Sequence, residues 1–80
     1  MTQVEIHDMA IALKNTAEVM VNAGSIGVVE PTTRSATEAL LETVKKWKSD
    51  NPVLAAMTVQ PSITWPEVLT IANTIYHLTR

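Results

Sequence analysis

Ile6, Ala10, Leu13, Ala17, Met20 and Gly24 are separated alternately by four and three positions, a spacing that stacks them on one face of an α-helix. Large and small side chains alternate along this stripe. A second helix can therefore approach closely, its bulky groups seated over Ala10, Ala17 and Gly24. The same rhythm returns near the other end of the chain at Val68, Ala72, Ile75 and Thr79, with Ile71 and Leu78 widening the face. Two matching faces predict close packing between the first and last helices. A homo-oligomer with helix one as its self-contact would use the same residues, so a seam between two copies of the chain stands as an equal alternative.

Local signals set the element boundaries. Thr2 followed by Glu5 has the spacing of a capping box, and Gly24 is a natural C-terminal stop, so the first helix is predicted over 3–22. Ser25 to Glu30 reads as a connector whose Val28-Val29 pair has no evident strand to join. Glu30-Pro31 and the Ser35/Glu38 spacing bracket the start of a second helix, predicted over 33–49 with Ala36, Leu40, Thr43 or Val44, and Trp47 on its buried face. Asn51-Pro52 opens a short helix over 52–58. Thr64-Trp65-Pro66-Glu67 combines a cap, a proline in the first turn and a closing glutamate, and starts the last helix over 65–79. These elements predict one all-α domain over 1–80, a small bundle of three main helices plus one short helix.

Composition sharpens this reading. Eighty residues with no cysteine must fold without a disulfide framework or a Cys-based zinc site. Apolar residues make up 46% of the chain and charged residues 18%, and no Phe is present, so the core must be aliphatic. A domain this small and this sparsely charged is expected to leave apolar surface for a partner, a second copy of itself included. The formal net charge of −2 disfavours nucleic acid as that partner, and no apolar run is long enough for a membrane span. The start of the chain lacks a basic secretory leader, so a cytoplasmic location is expected.

No catalytic constellation stands out. His7 and Asp8 are neighbours pointing about 100° apart on a helix, and His7 and His77 lie at opposite ends without ligand spacing. Ser25, Ser35, Ser49 and Ser62 have no partner for nucleophilic chemistry, and no carboxylate pair is placed for acid–base work. Gly24-Ser25-Ile26-Gly27 lacks both the preceding strand and the following Gly-Lys-Ser/Thr of a phosphate loop. Neither an enzyme, a cofactor nor a metal is expected.

Three family patterns can be compared with the chain. Ala17, then Asn22-Ala23-Gly24, then Thr32-Thr33-Arg34-Ser35-Ala36-Thr37 resembles the helix-turn-helix of small repressors, which implies DNA binding through 32–37. The connector here is several residues longer than that family's turn, and Arg34 is the only base in the reading segment. Length, acidity and helix number are similar to acyl carrier proteins, but Arg34-Ser35-Ala36 stands where that family has Asp-Ser-Leu for its phosphopantetheine arm. Ser49-Asp50-Asn51-Pro52 resembles part of the turn motif of type III secretion needle subunits, whereas Pro61 and Pro66 interrupt that family's long second helix.

The expectation that follows is a small non-enzymatic protein–protein interaction or assembly module, with an inhibitor or structural accessory protein among the forms it can take. A helix-turn-helix-like DNA-binding regulator using 32–37 is the alternative. Since one stripe cannot serve both a core seam and a dimer seam, the residues expected to meet a partner are Ile11, Val19, Leu41 and Leu54, joined by Trp47 and Trp65 as aromatic anchors if they are exposed.

Overall fold

The computed structural model describes residues 2–80, and within them the chain is helical in four places: α1 (Gln3–Asn22), α2 (Pro31–Trp47), α3 (Pro52–Ala56) and α4 (Trp65–Leu78). Among the described residues there are no strands, and the expected small all-α bundle is the architecture found.

Both ends of α1 are closed by the residues its sequence singles out. Glu5 N–H donates to Thr2 Oγ1 at 3.2 Å and Thr2 N–H donates to Glu5 Oε1 at 3.1 Å, so two otherwise orphaned donors are satisfied reciprocally. At the other end Gly24 adopts φ +85°, and the amides of Gly24 and Ser25 donate to the carbonyls of Val21 and Met20, both at 2.9 Å. This is a Schellman closure, which needs a residue that tolerates the left-handed region.

The two four-three faces meet. α1 and α4 form the most extensive helix pair in the fold, and Ala10, Ala17, Val68, Ala72 and Ile75 have no exposed surface. Leu13 and Met20 pack against this core from its margin. The stripe on α1 is thus an internal seam from Ile6 to Met20, whereas Gly24, expected to seat a bulky group, is exposed with nothing packed over it because it closes the helix instead. At 20 residues α1 is about 30 Å long, close to the 34 Å long dimension of the molecule, so it acts as the spine on which α4 lies.

α2 begins at Pro31, two residues before the predicted start, with Glu30 as N-cap and no side-chain cap. Proline presets the helical φ and lacks the N–H that the first turn would leave unbonded, so initiation there is favoured over the Ser35/Glu38 spacing. Its buried face is Thr37, Leu40, Leu41 and Val44. The expected face was displaced by about one residue: Ala36 is exposed and Trp47 is 40% exposed, while Leu41 has turned inward. α3 is shorter than 52–58. Asn51 Oδ1 accepts from the amides of Val53 and Leu54, Pro52 occupies the first turn, and the chain becomes extended at Met57.

The two connectors that the sequence left unpaired hold each other. Val28 and Thr64 form an isolated antiparallel bridge, with Val29 N–H donating to Ile63 O at 3.0 Å and Trp65 N–H donating to Gly27 O at 3.2 Å. Val29 and Ile63 are buried beside this tie, which fixes the entry to α2 against the entry to α4. Thr64 then starts α4, its N–H and hydroxyl both donating to Glu67 Oε1.

The seam makes a direct prediction. Ala17→Leu forces three extra carbons between α1 and α4 and should destabilise the fold by about 1–3 kcal/mol. Thermal denaturation reads the effect. An unchanged melting temperature would mean that α4 does not close over Ala17.

Candidate functional site

The residues expected to meet a partner divide into two groups. Val19 is 67% exposed, Trp47 is 40% exposed and Ile11 is partly exposed, so all three are accessible. Leu41, Leu54 and Trp65 are not: they retain 2%, 0% and 6% exposure and belong to the core. Each has a local cause. Leu41 follows the actual phase of α2, Leu54 is the one buried residue of α3, and Trp65 is drawn in where the connector bridge meets the first turn of α4.

Around the accessible group lies a surface that the first stripe concealed. Glu5, Met9, Ala12, Thr16, Val19 and Ala23 repeat the four-three spacing one residue out of phase with the internal seam, and every one is exposed. After Glu5 this second stripe carries no charge. Met9, Ala12, Leu13 and Thr16 from α1, with Ala36 from α2, line a groove of about 280 Å³. The Thr16 hydroxyl donates back to Ala12 O at 3.0 Å, so it asks for no external partner. An uncharged groove with small residues at its floor suits the ridge of an incoming helix. The stripe's spacing was present in the sequence. Only its exposure, which requires knowing where α2 lies, was not.

A second region gathers the most polar side chains. At the start of α1 and the end of α4, Thr79 Oγ1 lies 2.8 Å from His7 Nδ1 and 2.8 Å from Ile75 O, and Gln3 Nε2 donates to Thr79 O at 3.0 Å. The hydroxyl faces the carbonyls of Ile75 and Tyr76 as well as His7 Nδ1, and which partner donates in the His7–Thr79 bond follows the tautomer of the imidazole. His7 and Gln3 together tie the last turn of α4 to α1, and Gln3 satisfies a carbonyl that a helix C-terminus leaves open. The His7 ring stacks on Tyr76 with centroids 5.0 Å apart, and Lys14 Nζ stands 5.4 Å from the Tyr76 ring while pairing with Glu18. Among the described residues no group of three or more His, Cys, Asp or Glu could hold a metal ion.

A smaller pocket of about 200 Å³ lies between Met57, Thr58, Glu67, Thr70 and Ile71, but Glu67 is engaged in starting α4. The segment 32–37 is split by burial. Thr37 is fully buried and donates to Thr33 O, and Arg34 Nη1 reaches Pro61 O at 3.5 Å, which leaves Thr32, Ser35 and Ala36 on the surface. Trp47 carries Lys48 Nζ 4.4 Å from its ring centroid. No helix is long and apolar enough to cross a membrane among the described residues.

No family model, no curated protein and no solved structure matches this chain.

One carboxylate has a perturbed affinity for its proton. The Thr2 backbone N–H, and after it the Thr2 hydroxyl, hold Glu5 below the ordinary glutamate value. A lowered value in the folded state means that the capping box stabilises α1 above the unfolded pKa of about 4.3 and that this contribution fades as pH falls through the folded value. Acid titration followed by circular dichroism should therefore show less loss of stability for Glu5→Gln than for the native chain between neutral pH and pH ~3. Equal losses would show that the box does not sense the charge.

Proposed function

We propose that this chain is a small non-enzymatic interaction or assembly module that receives a helix in the groove between α1 and α2. The observation carrying this reading is the exposed uncharged stripe from Met9 to Ala23, whose central residues open into that groove beside Ala36. Four turns of helix surface without a charge are costly to leave in water and inexpensive to cover, because the side chains there are mostly short and lose little rotamer freedom on docking.

Self-association is the simplest use of such a face, and an inhibitor or structural accessory role would use it on a different protein. Val19 lies on the same stripe and adds a large apolar contact, while Trp47 offers a second anchor at the end of α2. The cysteine-free composition supports work in a reducing compartment such as the cytoplasm.

Sedimentation velocity over a wide concentration range tests the reading, with Ala12→Glu as the matched variant. Ala12 is exposed, so the change should move stability by no more than about 0.5 kcal/mol. Association by the native chain, or capture of a defined partner, should be lost in Ala12→Glu at unchanged melting temperature. A native chain that stays monomeric and a partner that binds both forms equally would overturn it.

A further inference from the structure

We infer that the connector between α1 and α2 carries an open β-edge at Val28, and that a second copy of this chain pairs with it antiparallel about a two-fold axis through that residue. This surface is separate from the groove, and the inference stands apart from the groove reading.

The bridge between Val28 and Thr64 is made by bonds from the flanking residues, Val29 N–H to Ile63 O and Trp65 N–H to Gly27 O. In that pattern the bridged residues are the non-hydrogen-bonded pair, and their own N–H and C=O groups point away from each other. On the Thr64 side both outward groups are used: its N–H donates to Glu67 Oε1 at 3.2 Å and its carbonyl accepts from Val68 N–H at 3.0 Å. On the Val28 side neither has a partner among the described residues. Extended backbone with an unused donor and acceptor on one side is the template to which another strand adds.

The side chains around it point to the same use. Ile26 and Val28 are 70% and 59% exposed, which places two of the most exposed large apolar groups in the molecule within three residues of the open edge. The edge is also short. Gly27 is a bend and Pro31 starts α2, so pairing is centred on one residue and cannot propagate into a fibre.

A second copy is the occupant that one residue's pair of groups fits. Under a two-fold axis through Val28, the N–H of each copy meets the C=O of the other, so both bonds form from one self-complementary element. Charge selects the direction. Antiparallel pairing holds the two Glu30 carboxylates on opposite sides of the axis, whereas parallel pairing would set them side by side.

The chain has no cysteine, which gives a direct test with single-cysteine variants. In a hydrogen-bonded antiparallel pair the facing Cα atoms lie about 5.5 Å apart, within disulfide reach. Val28→Cys should therefore oxidise to a covalent dimer roughly tenfold faster than Val53→Cys, whose site is exposed to a similar extent at 56%. In the native chain the Val28 amide should exchange more slowly with solvent as protein concentration rises towards the millimolar range. Val28→Lys, which places a charge on the edge, should make exchange of the residue-28 amide independent of concentration at an unchanged melting temperature, whether or not the groove also associates. Equal oxidation rates for the two cysteine variants, or a Val28 amide whose exchange ignores concentration, would overturn the inference. A dimer whose Val28 amide still exchanges freely would also overturn it, and would leave the groove reading standing.

Discussion

The close approach of α1 to α4 is the constraint on which the other elements depend. It is possible because the contact is floored by alanines: Ala10 and Ala17 on one helix and Ala72 on the other are wholly buried, and Ile6, Val68 and Ile75 fill the spaces between them. Methyl-sized side chains let the two backbones come near enough for dispersion contacts along their length, and they lose no rotamer freedom in doing so. In a chain with no disulfide and no Phe, this economy substitutes for bulk. The pair is also pinned at its end, where Gln3 and His7 of α1 bond Thr79 and so close the last turn of α4.

The rest of the fold is arranged around that pair. α2 makes lighter contacts with both α1 and α4, and α3 packs among the helices against α2 alone. What holds α2 in place is as much the connectors as its own face. The Val28–Thr64 bridge joins the two turns that lead into α2 and α4, with Val29 and Ile63 buried next to it. Because α2 covers α1 only partly, it leaves the groove over Ala12 and Thr16 beside Ala36. The tight seam and the open groove are therefore two results of one arrangement. α4 takes the face that α1 offers for close packing, and α2 cannot reach the adjacent one.

Where sequence reading and structure part, the cause is phase or partnership. On α2, Leu40 and Leu41 are adjacent, and a buried face drawn through Ala36, Leu40 and Trp47 fits the pattern nearly as well as one through Thr37, Leu40, Leu41 and Val44. A threonine counts as polar in such a reading, yet Thr37 is buried at no hydrogen-bonding loss because its hydroxyl donates to Thr33 O within the same helix. Trp65 and Leu54 follow a different logic. Leu54 has no periodic neighbours in the five-residue α3 to show its direction, whereas Trp65 lies three positions before Val68, in phase with the buried face of α4, and extends that face into the first turn. Of the six residues expected to face a partner, Ile11, Val19 and Trp47 remain accessible, and the groove residue Ala12 is masked in the sequence because its stripe sits one position from a stronger one.

Helix identity, capping and the two four-three faces were thus written locally. Thr2 and Glu5, Gly24, Asn51-Pro52 and Thr64-Glu67 act within a few residues of themselves, and the four-three spacing is a property of one helix at a time. Such signals survive without knowledge of the rest of the chain. The pairing of the α1 face with that of α4, the bridge between Val28 and Thr64, the inward turn of Leu41 and Leu54, and the exposure of the second α1 stripe were decided only in three dimensions. Each depends on which surface arrives opposite, and an amphipathic pattern specifies that a face must be covered without specifying what covers it.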